Sequence, residues 1–132
     1  MGTFALEELH KRKKDQTVKL IEAADVTRQI AEAVERGDSV ATQMLLSERE
    51  APVFALRECE EQIRAYLLGL PEAEAIRMNE LLKGGAPETE EEKPLAEQVA
   101  QFRRLLDSVT AMDKQLSLRL GGSRSFYNKF RE

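Results

Sequence analysis

The longest regular hydrophobic pattern of the chain runs from Leu95 to Leu120, where apolar residues recur in alternating steps of three and four. One series contains Leu95, Val99, Phe102, Leu106, Val109, Asp113, Leu116 and Leu120, and a second contains Phe102, Leu105, Val109, Met112 and Leu116. A single coiled-coil seam needs only one such series. The pattern therefore predicts a long helix with apolar surface for its neighbours in the fold and for a partner.

The same periodicity predicts a long first helix from Thr3 to Arg36, ended by Gly37. Its inward face is Leu20, Ala24, Thr27, Ala31 and Val34, widened by Ile21 and Ile30. Towards the N-terminus, Leu6 and Leu9 continue this face, but Lys13 and Gln16 occupy its next two positions. We therefore expect the N-terminal half of the helix to project beyond the bundle or to fray.

A second helix is predicted from Ser39 to Leu68, and Pro52 interrupts it. Because proline removes a backbone donor and no glycine accompanies it, we expect a kink between Ser47 and Pro52, or a helix restart capped by Ser47 with Glu50 three residues on, rather than a loop. A short third helix should run from Glu72 to Lys83 and end at Gly84. The inward candidates of these two helices are Val40, Met44, Leu45, Val53, Leu56, Ile63, Leu67, Ile76, Leu81 and Leu82.

The segment from Gly84 to Pro94 is rich in glycine, proline and glutamate and predicts a solvated, mobile loop. Pro94 suits the first turn of the final helix, although Thr89 with Glu92 offers an earlier cap. After Leu120, two glycines precede a tail rich in aromatic residues. The prediction is an all-α antiparallel helical bundle over residues 1–120, with long first and last helices, and a C-terminal tail over residues 121–132.

Composition limits the function classes. A chain of 132 residues can bury a core without disulfides or metal, and 33% charged with only 5% aromatic residues is typical of helical bundles. The net charge of −4 argues against binding nucleic acid or a membrane surface. We also expect no membrane insertion, because no apolar run approaches the length of about 20 residues that a spanning helix needs. One cysteine and no signal-peptide pattern predict a cytoplasmic protein.

Candidate chemistry is sparse. The sequence has no glycine-rich phosphate loop, metal-ligand spacing or nucleophile elbow, so we expect no enzyme activity, no cofactor and no metal. Cys59 lies among glutamates that disfavour its thiolate, and it is interpreted as a half-buried hydrophobic residue. His10 is interpreted as solvated.

Two polar features leave alternatives open. The basic run from His10 to Lys14 is interpreted as a solvated helix face, since Glu7, Glu8 and Asp15 lie within helical reach, with an acidic protein partner or a phosphate backbone as the alternatives. Asp113 falls in the apolar pattern of the last helix. It is either a buried polar residue that fixes the helix register or the wet edge of a wide stripe, and we favour the second.

The order of these features resembles the flagellar type III export chaperones, the FlgN/FliT-like family of small cytoplasmic helical proteins. The resemblance lies in AVERGD (residues 33–38) at the end of the first helix, LLSERE (45–50), LLDSVTAMDKQL (105–116), and the terminal GGSRSFYNKF (121–130). Pro52 and the third helix depart from the simplest pattern of the family.

This resemblance implies a non-enzymatic chaperone that grips the helical terminus of a late flagellar export substrate, either the filament cap protein or a hook-filament junction protein. It also implies delivery to the export gate or its ATPase. The apolar surplus and the aromatic tail together predict the partner-binding residues, which are Phe102, Leu105, Val109, Met112, Leu116, Phe126, Tyr127 and Phe130. The alternative is a homo-oligomeric coiled-coil scaffold or an anti-activator that sequesters a transcription factor; a homodimer is compatible with both interpretations.

Overall fold

The computed structural model describes residues 3–121 together with Tyr127 and Phe130. These residues form five helices and no strand: α1 (Thr3–Glu35), α2 (Ser39–Glu48), α3 (Glu50–Leu68), α4 (Glu72–Leu82) and α5 (Lys93–Arg119). The prediction of an all-α antiparallel bundle with long first and last helices is confirmed.

Helix α1 is the centre of the bundle, because α2, α3 and α5 all pack against it. Two groups of buried side chains follow its length. The lower core consists of Leu6, Leu9, Ile63, Met78, Leu81, Leu95 and Val99. The upper core consists of Leu20, Ala23, Ala24, Val53, Leu56, Phe102, Leu106, Val109 and Tyr127. The early residues of α1 and α5 thus meet the late residues of α3, so α1 and α5 run in the same direction and α2–α3 runs against both.

The turn between α1 and α2 follows from its sequence. Gly37 has a φ of 72°, a conformation that glycine adopts without steric cost. The carboxylate of Asp38 accepts a hydrogen bond from the backbone N–H of Ala41 at 3.0 Å and so caps α2. This break is confirmed.

The interruption at Pro52 is a kink without a loop, as predicted. Only Arg49 separates α2 from α3, and its φ of −66° and ψ of −22° are helical. Its N–H donates to the carbonyl of Leu45 at 2.9 Å, and its carbonyl accepts from Val53 at 3.3 Å. Because Pro52 has no N–H, the carbonyl of Glu48 loses its helical donor.

The N-terminal half of α1 belongs to the core, and the expectation that it projects or frays is wrong. Leu9 is fully buried, as are Met78 and Leu81 of α4, which lies against this end of the bundle. The short helix therefore covers a stripe that would otherwise face water.

Some residues predicted to face inward are exposed. Val40 and Met44 on α2 are 70% and 60% exposed, Ile76 on α4 is 54% exposed, and Ile21 on α1 is 50% exposed. In α4, Met78 is buried where Ile76 was expected. Short helices carry too few turns for the apolar pattern to define one face, so tertiary packing selects it.

The segment before α5 is exposed over residues 86–91, as predicted for a solvated loop, but its end is fixed to the bundle. Helix α5 begins at Lys93 with Pro94 in its first turn, which confirms the later start. However, Glu92 is only 5% exposed and accepts two hydrogen bonds from Arg77, at 2.6 and 3.0 Å. This pair fixes the segment to α4, and it lowers the pKa of Glu92 to about 2.

Candidate functional site: a groove between α3 and α5

Both α3 and α5 pack on α1 but scarcely approach each other, so a groove remains between them. It encloses a cavity of about 390 Å³ with α1 as its floor, the end of α4 at one side and Phe130 at another. The lining residues are Lys13, Glu60, Ile63, Arg64, Leu67, Asn79, Leu82, Lys83, Phe102, Arg103, Leu106, Asp107 and Phe130. The groove thus combines an apolar surface with six ionisable side chains.

Lys13 forms the polar part of the groove floor. It is only 7% exposed, and its Nζ lies 3.8 Å from the centroid of the Phe102 ring, within the range of a cation–π contact. The same Nζ donates a hydrogen bond to Gln16 Oε1 at 2.8 Å, and Gln16 Nε2 donates to Glu60 Oε2 at 2.8 Å. A polar chain therefore links α1 to the α3 wall.

Burial lowers the pKa of Lys13 from 10.5 to about 8. The charge of Glu60 opposes this effect and that of Arg103 adds to it. The interpretation of the basic run as a solvated face therefore holds for Lys11 and Lys14, which are exposed, and is wrong for Lys13.

The walls of the groove carry an excess of positive charge. Lys13, Arg64, Lys83 and Arg103 are the cations of the lining, whereas Glu60 and Asp107 are its only acids. The excess is two positive charges in a protein whose net charge is −4.

Arg103 is positioned by the turn after α4. Its guanidinium packs on Gly84, where an added Cβ would lie 3.5 Å from the Arg103 Nε. Gly84 also has a φ of 98°, which disfavours other residues. This glycine therefore ends α4 and leaves room for the arginine beside the groove.

The described tail residues lie at the upper end of the groove. Tyr127 is fully buried in the upper core, and its hydroxyl shares a hydrogen bond with the Thr27 hydroxyl over 2.7 Å. Phe130 is partly buried against the same core and lines the groove. Tyr127, predicted to bind a partner, is thus placed in the core instead of on an exposed surface.

Asp113 is a buried polar residue, and its interpretation as a wet edge is wrong. It is 1% exposed and accepts a hydrogen bond from Arg49 Nη1 at 2.7 Å. The Arg49 guanidinium also lies 5.9 Å from the centroid of the Tyr127 ring. The pair therefore connects α5 to the kink between α2 and α3, beside the tail.

The structure disperses the predicted partner-binding residues. Phe102, Val109 and Leu116 are at most 3% exposed and serve the core, while Leu105 and Met112 are partly buried. Phe102 and Phe130 line the groove, and Phe126 lies outside the described residues. Most of the α5 apolar residues that were expected to remain available for a partner are thus buried or partly buried within the fold.

Sequence reasoning missed Lys13, Glu60 and Arg103 as members of a common site. One signal was available, because Lys13 and Gln16 occupy positions of the apolar stripe of α1. A lysine at such a position means either that the packed face of the helix ends there or that the lysine itself is buried, and only the fold distinguishes the two.

An exposed stripe with three large apolar side chains lies elsewhere, along α2 and α3. Residues 40, 44, 47, 51 and 54 are all exposed and follow steps of four and three along the chain. Among them, Val40, Met44 and Phe54 are 70%, 60% and 62% exposed. We call these three residues the α2–α3 stripe.

Other candidate chemistry is limited. Cys59 is half-buried as expected, and burial, followed by the charge of Asp15, raises the pKa of its thiol. Within the described part of the chain, no three His, Cys, Asp or Glu side chains form a group suited to a metal ion. No helix among the described residues is both long and apolar enough to cross a membrane.

No protein-family model, no curated protein and no solved structure matches the chain.

Proposed function

We propose that this protein is a cytoplasmic export chaperone of the FlgN/FliT-like type. In this proposal it binds a helical segment of a late flagellar export substrate, a filament cap or hook-filament junction protein, and delivers it to the export gate or its ATPase. The observation that carries the proposal is the open groove between α3 and α5. Its lining is partly apolar and partly charged, and such a surface accommodates an amphipathic helix.

Two further features support a binding protein. The groove contains Phe102 and Phe130, which belong to the residue set predicted for partner binding. Its charged residues lie on α1, α3, α5 and at the end of α4, beside apolar side chains of α3, α4 and α5, an arrangement that can hold a polypeptide by burial and by ion pairing.

Affinity capture tests this proposal. The full chain, immobilised through a linker, is exposed to a lysate of flagellated cells, and the captured proteins are identified by mass spectrometry. The matched pair of variants is Arg103→Glu in the groove and Arg104→Glu on the exposed surface of α5. We expect an export substrate with the wild-type chain and with Arg104→Glu, and its loss with Arg103→Glu. Capture without any export substrate would contradict the proposal.

The alternative, a homo-oligomeric scaffold or anti-activator, is favoured by the α2–α3 stripe. Three exposed apolar side chains along one helical side suit self-association as well as partner binding. Sedimentation of the protein alone distinguishes the two. A chaperone should be a monomer or dimer that a client stabilises, whereas a scaffold should form larger assemblies that Phe54→Glu dissolves.

A further inference from the structure

We infer that the groove between α3 and α5 selects a helical partner segment that presents a carboxylate beside its apolar side chains, and that Lys13 and Arg103 bind this carboxylate. The inference deepens the proposed function by naming the chemistry of the segment. It depends on the proposed function only for the identity of the protein that contains this segment.

The first argument is the unmet hydrogen-bonding capacity of Lys13. An ammonium group has three N–H donors. Within the described residues, Nζ has one hydrogen-bond acceptor, Gln16 Oε1, and otherwise faces the Phe102 ring and the cavity. A buried cation with one acceptor is costly, and a carboxylate placed in the cavity would supply the missing acceptors and the opposite charge.

The positive charge of the groove complements the negative charge of a carboxylate. The lining carries two more cations than acids although the chain as a whole is acidic. Glu60 is connected to Lys13 only through Gln16, from which it already accepts a hydrogen bond. Arg103 lies on the α5 wall against Gly84 and Arg64 lies on the α3 wall, so that cations occur on the floor and on both walls.

The third argument decides between a polypeptide and a free anion. Ile63, Leu67, Leu82, Phe102 and Leu106 contribute apolar surface to the same cavity. Ile63, Phe102 and Leu106 are at most 5% exposed, so the apolar surface that remains open is that of the partly buried Leu67, Leu82 and Phe130. A phosphate ion would leave these three side chains in contact with water, whereas an amphipathic helix would cover them and bring a carboxylate to the cations. The occupant that fits both the apolar and the cationic lining residues is therefore an acidic amphipathic helix.

Designed peptides test the inference without knowledge of the natural client. Three labelled, capped helical peptides of about four turns, roughly 22 Å long, share one apolar stripe and carry glutamate, glutamine or lysine at the same two flanking positions. Fluorescence anisotropy with the full chain should give an affinity for the glutamate peptide about tenfold above that for the glutamine peptide. The lysine peptide should bind most weakly.

The variants assign this preference to the groove. Lys13→Met and Arg103→Gln should each reduce the preference for glutamate, while Arg104→Gln, which removes an exposed charge of the same helix, should preserve it. Absence of binding by all three peptides, equal affinities, or an equal effect of Arg104→Gln would overturn the inference. Displacement of the glutamate peptide by millimolar inorganic phosphate at constant ionic strength would also overturn it, in favour of a phosphate site.

Proton uptake provides a second readout. Because Lys13 has a pKa of about 8 in the free protein, a bound carboxylate should raise this pKa and draw up to about half a proton at pH 8. Calorimetric titration in buffers of different ionisation enthalpy measures this number, and Lys13→Met should abolish it. An unchanged proton count in that variant would remove Lys13 from the binding site.

The two proposals fail separately. A clear preference for the glutamate peptide without capture of any export substrate would refute the proposed function and leave the groove chemistry in place. Capture of an export substrate by a groove that does not distinguish glutamate from glutamine would refute this inference alone.

Discussion

Replacement of the buried lysine by an apolar residue of similar length should stabilise the protein. Lys13 is 7% exposed, and its ammonium is held by Gln16 and the Phe102 ring. Lys13→Met keeps the length of the side chain and its contact with the ring, and it removes the charge. The variant loses one hydrogen bond and leaves Gln16 Oε1 without its donor.

The magnitude follows from the pKa. The folded value of about 8 against the ordinary 10.5 corresponds to about 3 kcal/mol by which folding disfavours the charged form. The unfolded chain therefore binds more protons than the folded chain between about pH 8 and 10.5. Below pH 8 the full cost is present, and it disappears as the pH rises to 10.5. With about 2 kcal/mol subtracted for the buried Gln16 oxygen left without a donor, Lys13→Met should gain about 1 kcal/mol at pH 7.

Urea unfolding at several pH values between 7 and 10.5 measures this effect. The difference in unfolding free energy between Lys13→Met and wild type should be largest at pH 7 and should shrink as the pH rises. Lys14→Met is the matched control, because this neighbouring lysine is exposed on the same helix. A Lys13→Met variant that is less stable than wild type at pH 7, or a difference that does not vary with pH, would refute the reasoning.

Three further changes test the core and the tail. Phe102→Ala should cost about 3–5 kcal/mol in urea unfolding, because the ring is 3% exposed; a loss below about 1 kcal/mol would remove it from the core. Glu92→Gln should remove the acid-dependent stability that wild type loses as the pH falls from 4.5 towards about 2, and identical acid unfolding of the two proteins would contradict the pairing. Truncation after Gly121 should lower the melting temperature, because Tyr127 fills the upper core, and an unchanged melting temperature would show that the tail does not contribute to it.

The helices could be predicted because local signals define them. Glycines and prolines mark the ends of α1, α3 and α4, and the apolar series of α5 is long enough to define its buried face. The kink at Pro52 also follows from local chemistry, since a missing donor acts on the preceding turn whatever the tertiary packing is.

The packing of individual side chains depended on contacts that no local pattern encodes. Tyr127 bonds Thr27 from 100 residues away, and Glu92 reaches Arg77 across a loop. The sequence shows aromatic and acidic residues in these segments. Whether such a residue is exposed or buried depends on whether a distant helix supplies a partner for it, and the local sequence does not show this. The tail was therefore assigned to the partner surface when at least Tyr127 belongs to the core.

Position 13 is the most informative departure from the local pattern. An apolar residue there would continue the stripe of Leu6, Leu9 and Leu20 and would make α1 more stable by the argument above. The chain instead places a cation on the floor of a cavity that Arg103 also lines, beside an aromatic ring. Sequences tend to break their own packing rules at functional sites, where a loss of stability is compensated elsewhere in the fold. Leu9 and Leu20 on either side of Lys13 are fully buried, so the cation interrupts a stripe that is otherwise packed. Binding of a carboxylate, as proposed above, would give this interruption a function.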